Sequence, residues 1–386
     1  MTTKNTLDSS QYKLLPAITK AINASLYLSG SKSITNRVLL LAALSDGVSV
    51  LHNVADNSDD VHLMIEALSL LGIKISLQAT KAHIKIKNSV NDSFNEYDFT
   101  GNSYKIFGCN GIFKTRKAKI FCGASGTVAR FITSVLSINS LFYQNASYTI
   151  HGIKRLEERP IADLLGLLNK YCQNMHFLNK INHLPLIIKS PTISDSLIKG
   201  ILYEEFIIID ASLSSQFASG FLIAFANLLH NIIIYDEMII NRIPIIIIKN
   251  PISMPYVHMT ISLLNMFYKT NTVYMTKVNE EYQIQFHNFM YTNNTIKQSS
   301  LILKAVEYEI EADASSASYF FALSLFNQGR VRIKNLNINS IQGDIKVIEI
   351  FKLLGYSYAI ENGCITMHGI LKTQYLNGIN VNMNDM

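Results

Sequence analysis

Four times along this 386-residue chain a short apolar strand runs into a turn of small residues and then into an apolar helix. The turns are Gly30-Ser31-Lys32-Ser33, Gly123-Ala124-Ser125-Gly126-Thr127, Ala211-Ser212-Leu213-Ser214-Ser215-Gln216 and Ala312-Asp313-Ala314-Ser315-Ser316-Ala317-Ser318. Small residues cap many helices, so any one of these turns means little. Each, however, follows a strand and precedes a second helix, and the spacing is about 90 to 100 residues, which points to a repeated supersecondary unit. In the first copy, strand 24–28 and helix 38–44 lead to strand 48–54. The cap Asn57-Ser58-Asp59-Asp60 then opens helix 61–71, whose apolar face is Val61, Met64, Ile65, Leu68 and Leu71, and strands 73–77 and 82–86 follow. The unit therefore reads strand, helix, strand, helix, strand, strand. The second copy offers helices 128–138 and 160–168. The third offers helices 217–229 and 256–267 with strands 232–235 and 245–248. The fourth offers helices 319–326 and 345–354 about strand 331–333. The polar stretches 87–119 and 276–304 read as loop-rich insertions. Such units cannot bury their apolar faces alone and must pack on one another.

Hydrophobic residues make up 48% of the chain and charged residues 16%, enough for a large core in two or three domains. Apolar runs such as 221–226 and 245–248 are too short to span a bilayer, and no membrane association is expected. The opening Met1-Thr2-Thr3-Lys4-Asn5 lacks the apolar stretch of a secretory signal. Cys109, Cys122, Cys172 and Cys364 are scattered, which suggests neither a disulfide framework nor a zinc site. A reduced, cytoplasmic protein is the expectation. The net charge of +6 is spread out. Its densest run, Lys114-Thr115-Arg116-Lys117-Ala118-Lys119, lacks the interleaved aromatics of a nucleic-acid platform. A scattered positive excess suits small anionic substrates instead.

The first turn carries the most chemistry. Its serines and the free amides of a helix start attract anions, and Lys32 and Arg37 add a point charge and a planar fork with no acid in the turn. The plain alternative is Ser33 as a cap with solvated charges beside it. The spacing of a Walker loop is absent. Arg155 and Arg159 stand four apart in Lys154-Arg155-Leu156-Glu157-Glu158-Arg159-Pro160, as surface ion pairs or as an anion clamp. Ser214-Ser215-Gln216 offers uncharged groups that could orient a polyol, or a cap. Ser253 precedes Pro255 and Tyr256 at another helix start.

These residues fall into an ordered set: Gly-Ser-Lys-Ser-x-x-Asn-Arg at 30–37, Gly-Thr-x-x-Arg at 126–130, Arg-x-x-x-Arg-Pro-Ile at 155–161, Ser-Ser-Gln at 214–216, Ser-x-Pro-Tyr at 253–256, Asp-Ala-Ser-Ser-Ala-Ser-Tyr at 313–319 and Asn-Ser-x-Gln-Gly-Asp at 339–344. From about residue 12 onward the chain closely resembles the 5-enolpyruvylshikimate-3-phosphate synthases, the 3-phosphoshikimate 1-carboxyvinyltransferases. The resemblance implies an α/β fold of the α+β type, with two domains built from βαβαββ units in pseudo-threefold array. By position one domain is 24–309 and the other is 1–23 plus 310–386. The implied reaction joins the enolpyruvyl group of phosphoenolpyruvate to the 5-hydroxyl of shikimate 3-phosphate and releases phosphate, on the way to chorismate and the aromatic amino acids. It passes through a tetrahedral intermediate and uses no metal or organic cofactor. The resemblance gives Lys32, Ser33, Arg37, Ser214, Ser215, Gln216 and Ser253 to shikimate 3-phosphate, and Lys32, Gly126, Arg155 and Gln216 to phosphoenolpyruvate. Arg130 and Tyr256 become supporting residues, the two substrates are the partners, and the protein is expected to be a monomer.

The family pattern continues past the strand matched by 379–384, and its catalytic base comes a few residues after that strand. The base therefore has no counterpart up to Met386, and Asp385 precedes its place. Ala124 stands where the family usually has Asn, and Met254 where Lys is common. The expectation is an incomplete second domain with exposed apolar faces, binding shikimate 3-phosphate weakly with little or no turnover. The alternatives are such a non-catalytic remnant and the UDP-N-acetylglucosamine enolpyruvyl transferases. The latter use a loop cysteine, and Cys122 stands in another context.

Overall fold

The structure, a computed structural model, describes residues 21–79, 87–88, 95–98, 101–159, 161–192, 194–236, 242–287, 291–292, 295–296, 301–361, 363–369 and 379–383. Within these, three four-stranded sheets share one plan. The strand orders are Glu307–Glu309, Val48–Val54, Asn102–Phe107, Lys74–Ala79; Lys117–Phe121, Ser147–His151, Leu186–Lys189, Met175–Phe177; and Phe206–Asp210, Ile245–Lys249, Glu281–Phe286, Val273–Val278. In each sheet the first pair is parallel and the next two are antiparallel. A parallel pair needs a crossover, which helices Gly126–Asn139 and Ser215–Asn231 supply in the second and third sheets, while in the first sheet the parallel partner Glu307–Glu309 comes from far along the chain. These are the βαβαββ units that the repeats foretold.

The helices of the three units close a ring. Lys32–Leu44 packs on Asp59–Leu70, which meets Gly126–Asn139. Ala162–Cys172 joins that helix to Ser215–Asn231, and Pro255–Tyr268 returns to Lys32–Leu44. Every residue from Ile34 to Leu44 is buried, as are nearly all of those from Val128 to Asn139 and from Ser215 to Asn231. Helices apolar on all sides are core helices. The run Ser215–Ile234 is long and apolar enough to cross a membrane by length and composition, and here it is enclosed by protein. At its tightest crossing, a Cβ on Gly220 would lie 2.8 Å from Ser134 Oγ and 3.4 Å from Arg130 O.

A fourth copy makes a second, smaller core from Ala24, Leu26 and Leu28 with residues between Ala312 and Met367. Its sheet runs Ser357–Glu361, Cys364–His368, Arg330–Ile333, Asn23–Tyr27, and then the short pieces Asn95–Asp98 and Lys87–Asn88. The first strands of two units are therefore exchanged. Asn23–Tyr27 precedes helix Lys32–Leu44 in the chain but pairs with Arg330–Ile333. Glu307–Glu309 precedes helix Ala314–Phe326 but pairs with Val48–Val54. The exchange sends the chain between the lobes after Asn23–Tyr27 and again after Glu307–Glu309, and these two crossings lie antiparallel with Gly30 bridged to Ala312; the pieces Lys87–Asn88 and Asn95–Asp98 add a further excursion into the smaller lobe's sheet.

The structure corrects several sequence expectations. The strand near residue 24 belongs to the smaller lobe, not to a domain spanning 24–309, because a strand's sheet is chosen by its long-range partner. Asn102–Phe107, Glu281–Phe286 and the end of its hairpin partner Val273–Val278 lie in stretches expected to be loops. Only Ser103 and Ile106 of Asn102–Phe107 are buried, so little apolar signal marks it. Residues 232–235 form no strand but continue the preceding helix as a π turn through Asp236. The expected strand 82–86 lies outside the described residues, and 379–383 form no strand.

Candidate functional site

Six helices begin around one cleft of about 800 Å³ between the two lobes. Helix N-termini expose unpaired amides and a partial positive charge, so their convergence favours a multiply anionic ligand. Caps fix four of these starts. Ser31 accepts from Ile34 N–H at 3.4 Å, Ser125 from Val128 N–H at 3.2 Å, Ser214 from Gln216 N–H at 3.2 Å and Asp313 from Ser316 N–H at 2.7 Å. The first helix starts at Lys32, earlier than its apolar run suggested, and its cap is Ser31 rather than Ser33. Its first turn faces the cleft and so carries no apolar periodicity.

Lys32, Ser33, Arg37, Ser214, Ser215, Gln216, Ser253 and Tyr256 all line this cleft. Lys32 is half-exposed and pairs with Asp60 at 3.2 Å. Ser253 adopts φ +52° just before Met254, the residue preceding helix Pro255–Tyr268, and makes no capping bond. A left-handed non-glycine residue at a site is local strain held by its surroundings.

Arg37 is 2% exposed, and among the described residues it makes no ion pair. Its Nε–H donates to Thr260 Oγ1 at 2.8 Å and Nη1 to Ser33 O at 2.9 Å. Nη2 lies 3.2 Å from Ser219 Oγ and 3.4 Å from Tyr256 O. The rings of Phe131 and Tyr256 lie 5.1 and 5.8 Å from its guanidinium carbon. Burial lowers its pKa to about 10, still a full cation at neutral pH. Burial likewise raises the pKa of the Tyr256 hydroxyl, with Asp344 across the cleft adding to the effect.

Gln216 accepts from Arg130 Nη1 at 3.0 Å and donates to Thr127 Oγ1 at 3.2 Å. Burial, and then the charge of Arg159, lower the pKa of Arg130 to about 10. A Cβ on Gly126 would fall 2.2 Å from Arg130 Nη1, so this glycine lets the guanidinium pass over the helix start. Arg130 and Gly126 thus stand behind Gln216 rather than on the cleft wall. Arg155 does not join them. It is exposed on the short helix Lys154–Glu157 and does not line the cleft.

Several cleft residues were not singled out in the sequence. Ser58 read only as a helix cap and Thr127 only as part of a turn, and Asp60, the partner of Lys32 behind the cleft, only as a helix-start acid. From the smaller lobe, Asp313, Ser315, Ser316 and Phe320 line the same cleft. Asp313 also accepts the Lys32 backbone N–H at 3.3 Å, which ties one helix start to another across the lobes.

The family model for EPSP synthase (3-phosphoshikimate 1-carboxyvinyltransferase) matches residues 16–103 and 93–386. The chain belongs to the EPSP synthase family. The 3-phosphoshikimate 1-carboxyvinyltransferase of Buchnera aphidicola subsp. Cinara cedri is 31% identical over 366 residues, 94% of this chain and 69% of that protein. That of Ralstonia nicotianae is 28% identical over 91% of this chain and 67% of its own length. The chloroplastic protein of Petunia hybrida is 28% identical over 95% and 62%. The chain thus spans about two thirds of the length of the curated relatives it matches. The solved EPSP synthase of Acinetobacter baumannii aligns with a TM-score of 0.63 over 93% of this chain and 68% of that one, at 17% identity, which supports the shared fold.

Proposed function

We propose that this EPSP synthase family chain binds shikimate 3-phosphate in the cleft and serves transfer of the enolpyruvyl group of phosphoenolpyruvate to its 5-hydroxyl, with release of phosphate. The observation that carries the reading is the convergence of helix N-termini, Lys32 and an unneutralised Arg37 on one cleft. Both substrates are multiply anionic, and amides and cations of this kind hold phosphate and carboxylate. Ser214, Ser215 and Ser253 offer hydroxyls to a phosphate or polyol, and Gln216, fixed by Arg130 and Thr127, presents its amide in one orientation. Lys32 and Gln216 reach both expected substrate sets. Gly126 supports Gln216 from behind, and Arg155 would reach phosphoenolpyruvate only after movement of its exposed turn.

The reaction needs one proton removed from the hydroxyl and one delivered to the methylene carbon. Water must also be kept from the tetrahedral intermediate, which favours chemistry between two closing lobes. No described residue is assigned as the base. The assignment of the cleft to a monomeric, cytoplasmic enzyme rests on the same reading. The test is titration calorimetry of the full chain with shikimate 3-phosphate, followed by phosphate release with both substrates, beside Lys32→Ala. Binding that weakens at least tenfold in the variant supports the cleft. Binding unaffected by Lys32 places the ligand elsewhere, and binding without release limits the reading to the shikimate 3-phosphate half.

A further inference from the structure

A buried cation is normally held by a carboxylate, and Arg37 is held instead by neutral acceptors, two hydroxyls and the carbonyls of Ser33 and Tyr256. Thr260 Oγ1 lies 2.8 Å from Tyr256 O, and Ser219 Oγ lies 3.3 Å from the same carbonyl. Ser219 can spend its single proton on that carbonyl and Thr260 its own on the carbonyl or on Ser219 Oγ, and in either case lone pairs are left for the guanidinium. The two oxygens are 2.9 Å apart, and both residues are fully buried. Tyr256 itself lines the cleft, so the carbonyl that orients both hydroxyls belongs to the cleft wall.

We infer that Thr260 and Ser219 are positioning residues for ligand binding. They fix the Arg37 fork through neutral acceptors and leave its charge, together with the second N–H of Nη1, for an anionic group of the ligand. The inference rests on the reading of the cleft as a shikimate 3-phosphate site, and it adds two residues from the interior faces of different helices. A carboxylate at either position would hold the guanidinium equally well but would cancel the charge the ligand needs. Neither hydroxyl touches the ligand; each acts through Arg37.

The test compares Thr260→Val, Thr260→Ser and Ser219→Ala in the full chain by two readouts. The first is exchange of the Arg37 Nε proton, followed by NMR on arginine-labelled protein without ligand. The second is the affinity for shikimate 3-phosphate at fixed ionic strength. Valine keeps the shape of threonine and loses the hydroxyl, whereas serine keeps the hydroxyl and loses a methyl. Positioning predicts fast Nε–H exchange and roughly tenfold weaker binding in Thr260→Val. It predicts near-native values in Thr260→Ser and an intermediate effect in Ser219→Ala. A packing role predicts the reverse order, since serine leaves a cavity at a buried site. Native exchange and affinity in Thr260→Val, or an equal loss in Thr260→Ser, overturns the inference. If the unaltered chain does not bind shikimate 3-phosphate, the reading of the cleft fails. The exchange readout still decides whether the hydroxyls hold Arg37. Should Thr260→Val not fold, the smaller change Ser219→Ala carries both measurements.

Discussion

At the scale of single residues the cleft is organised by two cations treated differently. Lys32 is half-exposed and shares its charge with Asp60, while Arg37 is enclosed and keeps its own. Holding a guanidinium without a carboxylate out of water lowers its pKa to about 10, a cost that the proposed binding role accounts for. Replacing it should therefore separate stability from function. In Arg37→Met the side chain keeps an unbranched stem without the guanidinium, and Thr260 and Ser219 retain Tyr256 O as an acceptor. The expected melting temperature is equal to or a few degrees above that of the unaltered chain, while affinity for shikimate 3-phosphate falls by roughly 100-fold. Scanning fluorimetry and calorimetry on one preparation check both. A large fall in melting temperature would mean that Arg37 holds the fold rather than the ligand. Lys32, Arg37 and the serines were legible because they break the apolar pattern at a helix start. Thr260 and Ser219 were not, because a hydroxyl on an apolar helix looks like any tolerated core residue.

At the scale of elements, helix Ser215–Asn231 is the most enclosed in the chain, and it carries a histidine near its end. His230 accepts the Leu303 N–H on Nδ1 at 3.0 Å, so its Nε2 carries the proton donated to Asn110 Oδ1, also at 3.0 Å. It thereby joins the helix to two loops as a neutral ring. Burial lowers its pKa from 6.5 to about 4, against smaller opposing contributions from Asn110 and Asp46. A depressed histidine pKa means the unfolded chain binds the extra proton first as pH falls. The stability is thus fully present above pH 6.5 and is lost progressively down to about 4, by about 3 kcal/mol in all. Urea unfolding at stepped pH should show this slope, and His230→Gln, which stays neutral, should flatten it. An unchanged slope in the variant would assign the pH dependence to other groups. The sequence announced the helix through its apolar length but not its bounds. The strands Asn102–Phe107 and Glu281–Phe286 stayed hidden because pairing through the backbone does not require apolar side chains on both faces.

At the scale of the whole molecule, the repeats made the architecture legible while the exchange of first strands between lobes was not, since no local pattern says which sheet a strand will join. That exchange sends the chain between the lobes through two antiparallel crossings, and Asn53 clamps both. Buried and left-handed at φ +55°, its amide donates to Leu28 O at 3.1 Å and Ile310 O at 2.9 Å, one on each crossing, and its oxygen accepts Gly101 N–H at 2.7 Å. The crossings are bonded to each other as well, Ser31 N–H to Glu311 O at 2.9 Å and Asp313 N–H to Ser29 O at 3.1 Å. They run so close that a Cβ on Gly30 would sit 2.0 Å from Asn53 O. The Asn335 side chain grips only one of them, through Leu28 N and Leu28 O, while its backbone carbonyl, which a substitution leaves in place, accepts the Ala312 N–H. Asn53→Ala removes every partner of the Gly101 N–H and the Ile310 O and sets alanine in a left-handed conformation. Asn335→Ala orphans the Leu28 N–H but leaves Leu28 O to Asn53. The expected losses are about 3–5 kcal/mol for Asn53→Ala and about 1–2 kcal/mol for Asn335→Ala. Hydrogen exchange should show faster opening at Ser31, Gly101 and Asp313 in the first variant, and only near Leu28 in the second. Equal losses, or opening confined to Gly101 in Asn53→Ala, would mean that the lobes are held together by their packing and that the crossings merely follow. The expected order makes Asn53 the residue through which the two halves of the cleft are kept in register.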